Sequence, residues 1–313
     1  CKLFINVKFI VSQLTIMSQS HSIFNHVYLN KWNLFWLTSV PMSLIMTYVM
    51  VQHDLTTGDG VSEMIGFSVR WAVPLIYIVT AASAVNILFP NKFTRWWFRN
   101  RKYIGLTFAV AMGWQGTFIY LMSTFFRDYY FEDVYLLRNE IEGSIGYIFL
   151  AAMVLTSFKF GSKYVNGVQW KIIHKSGVYF LWAYAYTVYW WALYYYDDPV
   201  LFEYIFYWLG FAAFALRIFA WGKKRARSSS KPNLFLSITG YSLIVSGFII
   251  AYSGLTWRET ATNILLSPKW SADLELWLPF WPFEPFFCFF IMGLGVMILT
   301  PREKQKSLSN EPI

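Results

Sequence analysis

Residues 65–89 read IGFSVRWAVPLIYIVTAASAVNILF, a run of 25 residues with a single charged side chain, Arg70. Coiled at about 1.5 Å per residue, such a run crosses the roughly 30 Å of a bilayer's hydrocarbon layer with a few residues to spare. No water is available there for backbone N–H and C=O groups, so the run must close its own hydrogen bonds as an α-helix. Runs of comparable character lie to either side, at 33–51, 103–125, 143–160, 172–194, 200–221, 233–254 and 279–299. The sequence therefore predicts an all-α integral membrane protein of about eight transmembrane helices. The Trp- and Pro-rich stretch 257–285 reads as an interfacial segment feeding the eighth.

Composition points the same way. With 57% hydrophobic and 14% charged residues, a water-soluble fold would lack the polar surface to stay dispersed, and lipid is the solvent this chain suits. The 16 Trp, 21 Tyr and 30 Phe favour the headgroup layers. Trp96 and Trp97 mark one edge, and Tyr189, Trp190, Trp191, Tyr194, Tyr195 and Tyr196 the other. The net charge of +9 is not a nucleic-acid footprint, because Lys and Arg fall in short runs between apolar segments instead of tracking a phosphate backbone. Two cysteines, Cys1 and Cys288, are too few for a disulfide framework or a Cys-ligated metal. Residues 1–16 read as an upstream extension, since Met17 opens a polar stretch typical of a cytoplasmic start. A lipid-modified Cys1 would instead put the N-terminus outside, against the charge pattern.

That pattern alternates. Segment 90–102 carries Lys92, Arg95, Arg99, Arg101 and Lys102 with no acid, segment 159–175 carries four Lys, and 222–232 carries Lys223, Lys224, Arg225, Arg227 and Lys231. Between them lie Asp54, Asp59 and Glu63, then Asp128, Glu132, Asp133, Glu140 and Glu142, then Asp197 and Asp198. Cytoplasmic loops carry the excess of positive charge, so both termini are expected in the cytoplasm, with a bacterial inner membrane as the location. The expected organisation is an N-terminal arm at 1–32, a six-helix membrane domain at 33–221, a basic linker at 222–232, a helix pair at 233–300 and a tail at 301–313.

Four short patches follow one another through the third to fifth runs: Asn100-Arg101-Lys102-Tyr103-Ile104-Gly105-Leu106, Gly143-Ser144-Ile145-Gly146-Tyr147, Leu155-Thr156-Ser157-Phe158, and Trp170-Lys171-Ile172-Ile173-His174-Lys175-Ser176-Gly177-Val178-Tyr179. In order and spacing they resemble the ferric reductase-like transmembrane domain, the family that includes the haem-binding membrane subunit of the bacterial methionine sulfoxide reductase system and the membrane part of NADPH oxidases. The resemblance covers roughly 65–221 and leaves the C-terminal helix pair outside. It implies a six-helix bundle that holds b-type haem between histidines of the third and fifth helices, with electrons passing from a cytoplasmic flavin side to the opposite face.

This sequence departs from the family at the ligands. The third helix offers Gln115, with Met112 one turn earlier, and the fifth offers Thr187, so that His174 alone remains. Low-spin haem iron takes one axial ligand from each side, so two imidazoles must face each other at one depth. Counted from the start of its run, position 115 lies about 18 Å deep, whereas His174 lies near the inner surface. His21 and His26 sit on the arm and His53 on the opposite side. No loop is long enough for a nucleotide domain, and no Gly-rich phosphate loop, HExxH or GxSxG occurs, so any flavin must come from a partner.

The expected function is accordingly a haem-free accessory or scaffold subunit of a membrane complex, or a lipid- or quinone-binding protein. The alternative is a b-haem electron-transfer oxidoreductase fed by a separate cytoplasmic flavoprotein, with haem b held through His174. His174 reads either as a ligand, as an anion contact beside Lys171 and Lys175, or as a relic bonded to a neighbour. The candidate cofactor-binding residues are His174, Gln115 and Met112; Gln115 and Trp114 line a vestigial cavity where haem once sat, or Gln115 acts as interhelical glue. Arg70, an intramembrane charge, snorkels outward, pairs with an acid of 124–142 or serves a function. Glu284, between Pro282 and Pro285, marks an entry point or an interfacial cap. Arg217 lies close enough to the inner face to snorkel and is assigned no function. Gly143, Gly146, Gly177 and Gly240 are expected to let helices approach closely. A transporter reading finds neither an inverted repeat nor matched broken spans.

Overall fold

In the computed structural model, the residues described are 23–194, 198–254 and 285–301. The upstream extension 1–16, most of the interfacial stretch 257–285 including Glu284, and the tail from 302 therefore lie outside the described residues. Eight helices of 13 residues or more organise the rest: α1 Lys31–Gln52, α2 Gly58–Leu88, α3 Lys92–Phe125, α4 Leu137–Ser157, α5 Gly167–Tyr194, α6 Leu201–Arg225, α7 Leu234–Ser253 and α8 Phe287–Leu299. No strand occurs among the described residues.

Six of these helices, α1 to α4, α6 and α7, are long and apolar enough to cross a membrane. Helix α5 falls short on hydropathy because Trp and Tyr, which such scales count as polar, supply much of its surface; Trp182, Tyr186, Tyr189 and Trp190 are nevertheless buried. Helix α8 is apolar but short, at 13 residues.

Local chemistry sets the helix starts earlier than hydropathy does. Thr57 caps α2 by accepting from the Gly60 N–H at 3.2 Å. Asn91 and Thr94 form a reciprocal capping box, Thr94 N–H to Asn91 Oδ1 at 2.9 Å and Asn91 N–H to Thr94 Oγ1 at 3.0 Å, which satisfies donors a helix start leaves orphaned. Helix α3 thus begins at Lys92 where the sequence predicts 103, and the basic residues assigned to a loop at 90–102 instead ride the first turns of a helix. Likewise α5 begins at Gly167, which makes Lys171 and Lys175 helical.

Helix α2 sits centrally, packed on α3, α6 and α5, while α1 flanks α3, α4 lies on α5, and α7 pairs with α8, which also touches α6. The core is aromatic: Trp182 stacks on Phe214 at 4.3 Å and on Tyr186 at 5.3 Å, and Tyr186 on Tyr207 at 5.3 Å. A second cluster, Met46, Val61, Met64, Phe118, Met122 and Tyr130, closes the acidic end. There Tyr130 donates to Glu140; burial, and then that bond, push its phenol up to about 12.

The expected close approaches divide. A Cβ on Gly177 would meet Met153 Sδ at 2.7 Å and one on Gly240 would meet Leu299 Cγ at 2.6 Å, whereas Gly146 makes ordinary contact and Gly143 has nothing within 4 Å.

Candidate functional site

Because successive helices alternate in direction, the starts of α3 and α5 and the ends of α2, α4 and α6 all reach the same, basic face. Between them lies a cavity of about 770 Å³, within the range of roughly 300–1,000 Å³ typical of small-molecule sites. Its lining follows helical periodicity. Helix α3 contributes Phe98, Arg101, Lys102, Gly105 and Phe108, and α5 contributes Trp170, Lys171, His174, Lys175, Val178 and Tyr179. Spacings of three and four place each set on one face of its helix.

The walls are of two kinds. Arg99, Arg101, Lys102, Lys159, Lys171, Lys175 and Arg217 supply positive charge, and no Asp or Glu lines the cavity among the described residues. Ile76, Val79, Leu106, Phe108, Leu150 and Val178 supply apolar surface. On α3 Arg101 and Lys102 precede Leu106 and Phe108, on α5 Lys171 and Lys175 precede Val178, and Arg217 adds a charge from within α6.

His174 lies on this lining. Its Nε2 is 3.0 Å from Thr156 Oγ1, and its ring stacks on Trp170 with centroids 4.2 Å apart. Thr156 comes from the patch Leu155–Phe158 and Trp170 from the patch that holds His174, so two of the four sequence patches meet here. A third supplies Arg101 and Lys102. Arg101 stacks on Phe98 at 4.0 Å, and Lys102 Nζ donates to the Ser157 carbonyl, at the end of α4.

Asn100, in the same patch, serves a different purpose. Fully buried, it accepts from the Lys31 N–H at 2.9 Å and donates to Asn30 Oδ1 at 3.0 Å and to the Trp96 carbonyl at 3.1 Å. Arg99 and Trp96 add bonds to Asn30, Phe24 and Leu29. Together they clamp the chain before α1 against the start of α3.

Arg217 corrects the sequence reading. It does not snorkel; it turns inward, about 12 Å short of the end of α6. Its Nε donates to Tyr179 Oη at 2.8 Å, and Nη1 to the Thr80 carbonyl at 2.8 Å and to Ser83 Oγ at 3.2 Å. Hydroxyls and a carbonyl of α2 and α5 hold it there better than a climb through apolar side chains would. The signal was present in the sequence: position 217 follows Gly210, Ala213 and Phe214 by seven, four and three residues, on the face of α6 that turns inward.

The other expected site residues are not brought to this cavity. Gln115 Oε1 accepts from Tyr147 Oη at 3.3 Å, and the same hydroxyl lies 3.1 Å from the Met112 carbonyl. Trp114 Nε1 donates to Ser43 Oγ at 3.1 Å. Gln115, Met112 and Trp114 are thus interhelical contacts, and none of them lines the cavity. Arg70 is exposed and lies over the Phe202 ring at 4.6 Å, not against an acid of 124–142. His53 pairs with Glu63 at 2.8 Å. Glu284 lies outside the described residues.

The donor set does not fit a haem held by two imidazoles. Among the described residues one histidine lines the cavity, and its Nε2 is engaged by Thr156. No group of three or more His, Cys, Asp or Glu that could hold a metal ion occurs among the described residues. No family model, no curated protein and no solved structure matches this chain.

Proposed function

We propose that this chain is a ferric reductase-like membrane protein that works without haem, as an accessory subunit of a membrane assembly or a lipid- or quinone-binding protein. In this reading all eight helices span the bilayer of a bacterial inner membrane, both termini are cytoplasmic and the basic face is the inner one. The observation that carries it is His174: its cavity lies between α3 and α5, where the resemblance puts haem, yet its Nε2 is bonded to Thr156 and no second histidine lines the wall among the described residues. An absorption spectrum of the purified protein with a pyridine haemochrome assay tests it. No Soret band is expected, and stoichiometric b-haem would overturn the proposal.

The same cavity supports a second reading, in which one b-haem is retained through His174 and reduced by a separate flavoprotein. His174→Ala would then abolish the haem spectrum, and a spectrum left unchanged by that substitution would eliminate this site.

A further inference from the structure

The lining sets three requirements on any occupant. The first is charge. Arg101 and Arg217 both line the cavity, from α3 and α6. Neither has a carboxylate partner among the described residues: Arg101 rests on the Phe98 ring, and Arg217 bonds only neutral oxygens. Guanidinium groups inside a membrane are costly unless paired. What completes them must be anionic, and the planar fork of a guanidinium matches the oxygens of a phosphate.

The second requirement is an apolar body. Ile76, Phe108, Leu150 and Val178 form walls that a compact hydrated ion would leave exposed, whereas a hydrocarbon chain would cover them. The third is direction. Lys171 and Lys175 are exposed, whereas Leu106, Phe108 and Leu150, further along their helices from the basic face, are buried. The occupant therefore carries its charge toward the basic face and its chain inward from it. A quinone lacks the charge, and free phosphate lacks the chain.

We infer that the cavity between α3 and α5 binds an anionic phospholipid, its phosphate held between Arg101 and Arg217 with Lys175 at the mouth and an acyl chain along Phe108, Leu150 and Val178. Trp170 and Thr156 fix the His174 ring as part of the wall, which gives that imidazole a positioning role and no coordinating one. This inference rests on the haem-free reading of the same cavity, since a porphyrin would fill the space.

The experiment is native mass spectrometry of the full chain in detergent, titrated with phosphatidylglycerol or with phosphatidylcholine of the same chains. Wild type should retain one phosphatidylglycerol at about tenfold lower concentration than phosphatidylcholine, the size of effect expected for charge-assisted bonds. Arg101→Gln should erase that discrimination. Lys171→Gln with Lys175→Gln, both exposed, should reduce it about threefold while lowering the melting temperature by no more than loss of the exposed contact of Lys175 with the Tyr179 ring, 5.8 Å from its centroid, allows. Equal retention of the two lipids, or full discrimination in Arg101→Gln, would overturn the inference, as would displacement of the lipid by millimolar inorganic phosphate, which identifies a site for a soluble anion. An absorption spectrum of the same preparation separates the two readings: a Soret band sinks the haem-free proposal, whereas failed discrimination without a Soret band sinks this inference alone.

Discussion

Replacing Gly247 by alanine should loosen the contact between α7 and α8, and the structure sets the size of the effect. A Cβ at 247 would stand 2.3 Å from Met292 Cγ and 2.8 Å from the Cys288 carbonyl oxygen. The first contact involves a side-chain atom close to its own backbone and the second is backbone, so neither yields without moving a helix. Overpacking of this kind costs about 1–3 kcal/mol, against which alanine recovers roughly 0.5–1 kcal/mol of helix propensity. The expected net loss is about 0.5–2 kcal/mol. Gly143→Ala supplies the opposite case, because nothing lies within 4 Å of a Cβ there; it keeps the propensity gain of about 0.5–1 kcal/mol with no clash. Thermal unfolding followed by intrinsic Trp fluorescence, with an SDS titration alongside, should place wild type between the two variants. If Gly247→Ala is as stable as wild type, or if Gly143→Ala is destabilised as much as Gly247→Ala, the steric account of this helix pair is refuted.

Asn100→Ala removes one acceptor and two donors from a fully buried position and should cost about 1–3 kcal/mol, seen as faster proteolysis within residues 23–30; an unchanged digestion pattern would dismiss the clamp. Tyr130, with its phenol held up to about 12, contributes stability that is complete below the ordinary phenol value near 10 and is lost as pH rises from there through about 12. Tyr130→Phe should therefore flatten the alkaline limb of a stability–pH profile, and an identical limb in wild type and variant would contradict the assignment. Arg70→Ala should change stability by no more than about 1 kcal/mol, the scale of an exposed cation–π contact, and a loss well beyond that in the same unfolding assay would restore Arg70 as an intramembrane charge with a structural or functional partner.

The helical class and the helices themselves were legible because burial in lipid makes hydrophobic length a direct record of a span. Helix starts were less so. Hydropathy stops at the first cluster of charge, whereas α3 continues past Lys102, Arg101, Arg99 and Arg95 to a cap at Asn91; the capping box is spelled by two residues three apart and carries no hydrophobic signal. Of the candidate residues, His174, Lys171 and Lys175 reach one cavity, since they share a helix face that a sequence displays. The choice between the two readings of Gln115, and the inward turn of Arg217, depend on one kind of information. What each side chain does is decided by hydroxyls on other helices: Tyr147, 32 residues from Gln115, and Tyr179, Thr80 and Ser83, as far as 137 residues from Arg217. Depth along one helix cannot supply that information.

The cavity poses two physical problems with one resolution. The open cavity leaves apolar wall uncovered by side chains, and larger residues at Gly105 or Ser83, both on its wall, would be the ordinary way to cover it. Arg101 and Arg217, the two lining cations that are not exposed, have no lining carboxylate among the described residues, and neutral substitutions would be the ordinary way to relieve that. Neither remedy is present in the sequence. A haem retained through His174 would fill the void but would also have to take the imidazole nitrogen away from Thr156. A phospholipid fills the void with its chain and balances the guanidinium groups with its phosphate, leaving every bond of the wall in place. Arg217, held on the cavity wall by Tyr179, Thr80 and Ser83, is the group whose charge the proposed phosphate would balance.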